Sequence, residues 1–380
     1  MDNFTYYNPV KLIFGKGKIA SIGKEISRNE VNRVLMLYGG GSIKKNGVYE
    51  QTVNSLREAG IEFIEFGGVQ PNPTLEHARA AIEMIRENNL EGILAVGGGS
   101  CIDEAKSIAA GYYLDDPWSA FEGREKIVKA LPVFTILTIS ATGSEMNSFA
   151  VLTNEEERKK WSIGSPNLFP RVSIVDPEIQ SSLPRRQTAN GGADALSHVM
   201  EYYFLLDRQE ITLQVDEAIM RSIISSIDKL MEDELNYEAR ANFAWASTIA
   251  LNGLSCAGLP NGDWASHAIE HGISAMHPEI AHGEGLSIVF PAWIKYVSRK
   301  RPERFLRWAK NVWNCDSIDL AVLTMKEKFH DWGAPISLRE KGITAGEIAA
   351  IAENTLLQGL PGVFQELKRE DVTNILKLAL

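Results

Sequence analysis

Gly92-Ile93-Leu94-Ala95-Val96-Gly97-Gly98-Gly99-Ser100 decides the fold of this chain. An unbroken apolar run of strand length leads straight into three glycines, and a helical pattern containing Asp103 and Lys106 follows. A strand without polar alternation is buried on both faces, the environment of a parallel sheet covered by helices. Glycines at its end remove the Cβ atoms that would keep backbone N–H groups from a pyrophosphate, and a helix opening there adds roughly half a positive charge. The loop therefore reads as a phosphate cradle, with a ligand-free tight turn as the plainer alternative. It is not the G-x-G-x-x-G fingerprint of a standard Rossmann unit. Cys101, at the same helix start, reads as a packed bystander rather than an activated thiol.

Outward from that loop the pattern repeats. Residues 34–38 predict a strand, and an amphipathic stretch after Gly39-Gly40-Gly41-Ser42 predicts a helix ending near Gly60. Residues 61–66 predict a second strand and 74–89 a second helix; 132–138 and 172–176 are later strands, and 149–163 reads as an antiparallel hairpin turning at 154–158. Strand alternating with helix implies an α/β dinucleotide-binding domain with a Rossmann-like parallel sheet, placed at residues 1–185. Beyond Leu183 the β-branched signals vanish, and segments 189–204, 212–230, 237–256 and 283–298 repeat near 3.6 residues. Residues 186–380 are therefore expected to form an all-α domain.

A chain of 380 residues suits two such domains. Its net charge of -10 gives no general attraction to nucleic acid or anionic membranes. No apolar run approaches the roughly 20 residues that span a bilayer, and Met1-Asp2-Asn3-Phe4-Thr5-Tyr6-Tyr7 lacks the pattern of a secretory leader. Cys101, Cys256 and Cys315 are too scattered for a disulfide framework or thiolate zinc site, so a reducing cytoplasm is expected.

Two further loops bear on a dinucleotide. Gly39-Gly40-Gly41-Ser42 precedes Lys44 and Lys45 and contains no carboxylate. An acidic residue holds a free ribose 2′-hydroxyl and repels a 2′-phosphate, so the loop favours NADP over NAD. Thr138-Ile139-Ser140-Ala141-Thr142-Gly143-Ser144-Glu145 concentrates hydroxyls after a strand, either to contact the cofactor or simply to turn and cap a helix.

In the helical half, Asp194 and His198 are four residues apart and share one helix face. His267 and His271 repeat that spacing, and His282 follows before Gly283-Glu284-Gly285. Imidazoles with one carboxylate suit Fe2+ or Zn2+, whereas Mg2+ or Ca2+ would call for mainly oxygen ligands. A single histidine is more often an ordinary core or surface residue, which is the reading for His77 and His330; His277, before Pro278, ends a helix. His267-Ala268-Ile269-Glu270-His271 also matches the H-x-x-E-H zinc-peptidase signature, a short pattern that leaves Asp194, His198 and the glycine loop without a role.

Taken in order, Gly97-Gly98-Gly99-Ser100 with Asp103 and Lys106, Thr142-Gly143-Ser144-Glu145, Asp194…His198 and His267…His271…His282 resemble the iron-activated, group III alcohol dehydrogenases. Within them the chain is most similar to the butanol dehydrogenase and NADPH-dependent aldehyde reductase branch, over nearly its full length. The resemblance implies a dehydroquinate synthase-like pairing of domains, with Asp194, His198, His267 and His282 as ligands of one Fe2+ or Zn2+. His271 would then lie near the nicotinamide as the proton-transfer group. The dinucleotide contacts it implies are Gly39, Gly40, Ser42, Gly98, Gly99, Ser100, Asp103, Thr138, Thr142, Lys160 and Leu183, with Asn147 and Phe149 bordering the substrate. It further implies alcohol and aldehyde substrates, NADP(H) favoured over NAD(H), and a homodimer. A dehydroquinate synthase-like lyase, which has a similar two-domain plan, is the nearest alternative activity.

Overall fold

Residues 92–97 form an inner strand of a six-stranded sheet, and the chain is wound so that this strand and the first long one expose their ends side by side. The computed structural model describes residues 3–380; Met1 and Asp2, part of the N-terminal stretch read above, lie outside the described residues. Two compact units are formed, Asn8–Leu183 and Pro184–Leu380, the latter joined by residues 3–7.

The first unit runs β1 (Lys11–Phe14), α1 (Ile22–Arg28), β2 (Arg33–Tyr38), α2 (Val48–Glu58), β3 (Glu62–Gly67), α3 (Leu75–Asn88), β4 (Gly92–Gly97), α4 (Gly99–Gly111), α5 (Trp118–Phe121), β5 (Val133–Leu137), β6 (Phe149–Asn154), β7 (Lys159–Gly164) and β8 (Val172–Val175). Six strands pair in the order β1-β8-β5-β4-β2-β3, every pair parallel, while β6 and β7 form the expected antiparallel hairpin. All of β4, β5 and β8 is buried, which is why their sequences read as continuous apolar runs. From β2 the chain moves outward to β3 and then crosses back to β4 on the other side of β2. The crevice at the carboxyl ends of β2 and β4 is thus a topological switch point, the place where open α/β sheets take ligands. The glycine loops at 39–41 and 97–99 both emerge there. The core sequence of strands has the flavodoxin-type doubly wound order, with β1 added at the far edge.

Local chemistry sets the element ends. Thr74 caps α3 by accepting from the His77 N–H, and Asn89 closes the helix in the left-handed conformation. The helix expected after Gly41 is delayed: a 3-10 turn over Ser42–Lys44 intervenes, and α2 begins at Val48 after Gly47 at φ 80°.

The second unit contains α6 (Arg185–Tyr203), α7 (Glu210–Glu232), α8 (Tyr237–Ala250), α9 (Ala265–Met276), α10 (His282–Val297), α11 (Pro302–Trp313), α12 (Ile318–Trp332), α13 (Ile348–Thr355) and α14 (Arg369–Leu378). Among them α6 and α10 are buried on nearly all faces, so their sequences lack a polar stripe. The segment expected to stay helical to 256 stops at Ala250, where Asn252 and Gly253, at φ 99°, turn the chain. Among the described residues no helix is long and apolar enough to cross a membrane.

Candidate metal and dinucleotide sites

At the end of β4, Gly98 is the extended N-cap of α4 and Gly99 its first residue. A Cβ on Gly99 would stand 2.4 Å from Thr142 Cγ2, so the glycine is required by the close approach of the hydroxyl-rich loop. Thr138 donates its backbone N–H to Gly97 O at 3.0 Å, placing the start of that loop beside the cradle. Ser100, in the first turn of α4, donates its hydroxyl to Pro71 O at 2.5 Å. Gly39, Gly40 and Ser42 lie at the end of β2, across the switch point from this group. Lys160 is buried in β7, paired with Thr153 of β6, and Leu183 closes the 3-10 turn that ends the unit.

Asp103 faces inward from α4: one oxygen accepts from Ser144 Oγ at 2.5 Å and the other from the Val151 N–H at 3.1 Å. One turn later the fully buried Lys106 ammonium donates to Ser144 Oγ (2.8 Å), Asn147 Oδ1 (3.1 Å) and Phe149 O (2.8 Å). Burial pushes this amine down to about 8, with Asp103 and Glu145 opposing the shift. Asp103 and Lys106 therefore brace the loop 142–149 against α4. Asn147 is part of the same brace, since its amide also donates to Gly143 O at 2.9 Å, while Phe149 is 41% exposed. Cys101 is buried, and desolvation pushes its thiol up, consistent with a bystander.

Of the two ordinary settings expected for His77, the hydrogen-bonded one is found. Its Nδ1 pairs with the buried Glu104 of α4, and its Nε2 lies 3.2 Å from Gly67 O. The β2 side of the switch point holds another carboxylate that the loop sequence did not reveal. Glu65 of β3 accepts from Tyr38 Oη (2.9 Å), Tyr49 Oη (2.5 Å) and Lys44 Nζ (3.0 Å), and Lys44 also sits over the rings of Tyr38 and Tyr49. The Tyr49 hydrogen bond leads the effects that lower the Glu65 pKa.

In the helical unit, Asp194, His267 and His282 bring one potential ligand atom each within 4.8 Å of one another. His198 adjoins them: its Nδ1 is 3.5 Å from Asp194 Oδ1, and its ring centroid is 4.9 Å from that of His267. Helix α6 supplies Asp194 and His198 at the four-residue spacing, α9 supplies His267, and His282 is the first residue of α10. Gly283 makes this assembly possible, because a Cβ there would come within 2.2 Å of Asn190 O and force α10 away from α6.

The donor chemistry fits a divalent transition ion. The His198 ring is buried, its Nδ1 makes no hydrogen bond among the described residues, and burial first, then repulsion from His267 and His282, holds its pKa well below the usual histidine value. Neutral imidazole is the ligating form, and three imidazoles with one carboxylate match the preferences of Fe2+ and Zn2+. His271 falls in a separate grouping with Glu270 and His282, its ring centroid 5.6 Å from that of His282. His277, the C-cap of α9, pairs instead with Glu347 at 3.1 Å, and His330 is exposed on α12.

Two carboxylates complete the arrangement. His267 Nδ1 donates to Glu201 Oε1 at 2.6 Å, and His282 Nδ1 donates to Glu270 Oε2. Glu201, which the sequence reading missed, lies on α6 three residues after His198, a spacing that puts both on one helix face. Glu270 is the middle acid of the H-x-x-E-H match, but its two oxygens are taken by His282 and Ser274 and the residue is fully buried. It is not placed as a peptidase's water-activating glutamate.

Comparison with known proteins bears on the whole chain. Residues 9–177 match the family described as iron-containing alcohol dehydrogenase, and residues 188–380 match the Fe-containing alcohol dehydrogenase C-terminal family. NADH-dependent butanol dehydrogenase A of Clostridium acetobutylicum is 41% identical over 389 residues, with 99% of each chain covered. The NADPH-dependent aldehyde reductase YqhD of Escherichia coli is 37% identical over 379 residues, covering 95% of this chain and 94% of that protein. A crystal structure of NADH-dependent butanol dehydrogenase A from Thermotoga maritima matches with a TM-score of 0.98 at 47% identity, covering 100% of this chain and 99% of the other.

Proposed function

The chain belongs to the iron-containing alcohol dehydrogenase family, and on that premise we propose that it interconverts primary alcohols and aldehydes by hydride transfer with a nicotinamide dinucleotide. The observation that carries this reading is the meeting of Asp194, His198, His267 and His282 from three helices, in a chain whose other unit brings two glycine loops to one switch point. Neither a dehydroquinate synthase-like lyase nor a peptidase is favoured by any feature of the site.

In this reading Asp194, His198, His267 and His282 hold one Fe2+ or Zn2+. A divalent ion there supplies Lewis acidity toward the substrate oxygen, and the nicotinamide gives or takes the hydride. Gly98, Gly99 and Ser100 hold the pyrophosphate from the start of α4, while Thr138 and Thr142 lie toward the nicotinamide. Asp103 acts through the loop it braces, Lys160 approaches the ribose and Leu183 packs nearby. Gly39, Gly40 and Ser42 take the adenosine side, with NADP(H) preferred over NAD(H). Support for that preference is a loop without a carboxylate followed by Lys44. Glu65, which shares the Lys44 charge, limits its size. His271 is our candidate for moving the proton gained by the substrate oxygen on reduction, supported by its position on α9 one turn beyond His267.

We place the enzyme in the cytoplasm as a homodimer; three cysteines that form no disulfide support the compartment. Sedimentation at micromolar concentration tests the dimer, and a monomer at all concentrations rejects it. For the activity, purified protein is supplied with Fe2+ or Zn2+, butanal and either NADPH or NADH. Sustained loss of the reduced-nicotinamide absorbance is expected, faster with NADPH. Absence of oxidation with a panel of aldehydes would overturn the reductase reading.

A further inference from the structure

We propose that Glu201 and Glu270 are positioning residues of the metal site, each holding one ligand histidine in the single tautomer and ring orientation that turns its Nε2 toward the ion. The inference rests on the reading that Asp194, His198, His267 and His282 are the ligands. It adds two residues from different helices, one of which removes the H-x-x-E-H motif from the peptidase interpretation.

The geometry is the same twice. Glu201 accepts the Nδ1 proton of His267 at 2.6 Å, and Glu270 accepts that of His282. An imidazole carrying its proton on Nδ1 has its lone pair on Nε2, so a carboxylate at Nδ1 selects the ligating nitrogen and makes it more basic. Both acids are essentially inaccessible, Glu201 at 1% and Glu270 at 0% relative exposure, so neither has water as an alternative partner. A buried carboxylate is costly to maintain without compensation. Two such acids, each on a different histidine of one cluster, have a common explanation in the cation those histidines face.

The rest of each environment fixes the carboxylate itself. The second oxygen of Glu201 accepts the Trp264 N–H at 2.6 Å. Trp264 is the N-cap of α9 and holds φ 58°, a left-handed conformation that an aromatic residue rarely adopts. Glu201 thereby anchors both the start of α9 and the His267 ring one turn into it. Glu270 takes the Ser274 hydroxyl on its other oxygen, and a Cβ at Gly285 would stand 2.6 Å from its Cγ. The Gly283-Glu284-Gly285 sequence thus has two separate roles: Gly283 lets α10 approach α6, and Gly285 leaves room for the acid that orients His282. Among the described residues no carboxylate stands within hydrogen-bond geometry of a His198 nitrogen, Asp194 Oδ1 being 3.5 Å from its Nδ1, which makes the support of the three imidazoles unequal.

The test measures metal affinity directly, by competition with a chromophoric chelator for Zn2+ and by the visible bands of the Co2+-loaded protein. Glu201→Gln and Glu270→Gln keep the volume while weakening the acceptor; each is expected to lower Zn2+ affinity about 10- to 100-fold and to alter the Co2+ bands. Glu201→Asp, which keeps the charge and withdraws it, is expected to fall between wild type and Glu201→Gln. Far-UV circular dichroism and thermal unfolding in chelator establish that the metal-free variants fold; should Glu201→Gln not fold, Glu270→Gln decides. Asp194→Ala, run in parallel, separates the two hypotheses. Stoichiometric metal retained by Asp194→Ala rejects the ligand set itself. Metal lost by Asp194→Ala but bound with wild-type affinity and spectrum by the folded glutamine variants rejects the positioning role alone.

Discussion

The two candidate sites of this chain are built by opposite means. At the switch point of the sheet, the cradle is main chain: Gly98 and Gly99 matter for the atoms they lack, and α4 contributes its N-terminal N–H groups. In the helical unit the candidate metal cluster is entirely side chain, drawn from α6, α9 and α10, with two buried carboxylates behind the rings. The difference teaches where each site is vulnerable. A main-chain site fails when something is added, whereas a side-chain site fails when something is removed.

The largest expected effect comes from removal in the helical unit. His267→Ala should abolish metal retention and turnover while leaving dinucleotide binding intact, measured by elemental analysis of the purified protein and by a fluorescence titration with NADPH. Full activity at stoichiometric metal would break the contrast at its stronger side.

Second is Lys106→Met, which asks whether the main-chain cradle also depends on a buried side chain. Removing the ammonium leaves Asp103 and Glu145 without their buried cation and strips Phe149 O of a donor. A loss of about 1–3 kcal/mol in unfolding free energy is expected, the cost of leaving buried acceptors without their donor. The pH dependence has a definite sign. The amine titrates near 8 when folded and at its ordinary 10.5 when unfolded, so between those values the unfolded chain binds a proton that the folded chain has shed. Wild-type stability therefore gains an increment rising with pH from about 8 to 10.5, absent below 8, and Lys106→Met should lack it. Denaturant titrations of both proteins at pH 7.5 and 9.5, compared as a difference, check it; parallel behaviour would remove Lys106 from the account.

Third is addition in the α/β unit. Gly99→Val would drive a side chain into Thr142, already 2.4 Å from an ideal Cβ. Displacing the loop should raise the dinucleotide Kd by about tenfold or more, equivalent to roughly 1.4 kcal/mol, with metal content unchanged. A variant that loses metal as well would mean that the two sites are not separable.

The same contrast explains what was legible in the sequence. Main-chain sites leave compact signatures, so residues 92–100 announced strand, loop and helix together, and the β6–β7 hairpin was visible from its turn. Four-residue spacing on a helix likewise exposed Asp194 with His198. The ligand choice among the later histidines came from family resemblance, because spacing treats His271 and His267 alike. Glu201 was readable only in hindsight: three residues after His198 it shares the right face, but one acid on a helix carries no chemical label. Glu65 and Glu104 were hidden for a different reason, since their partners are 16 to 27 residues away and meet them only through sheet and helix packing. Short β1 at the sheet edge, with Lys11 exposed and the rest half-buried, lacked the apolar run that marked its neighbours.

The smallest expected effect concerns the adenosine side, where the contrast is least sharp because a side chain reaches toward a glycine loop. Lys44 has its ammonium 3.0 Å from Glu65 and about equally placed over Tyr38 and Tyr49, at 5.0 and 4.9 Å. An exposed pair of this kind is screened by solvent and contributes little, and Glu65 would both order the lysine and cancel part of its attraction for a 2′-phosphate. Lys44→Ala should therefore lower kcat/KM for NADPH only about threefold, with NADH turnover unchanged. Glu65→Gln should move the ratio the other way, since it leaves the aromatic cradle for Lys44 but removes the competing negative charge. If both substitutions shift the ratio in the same direction, charge at this edge is not what distinguishes the two dinucleotides, and the glycine loop's backbone must be doing so alone.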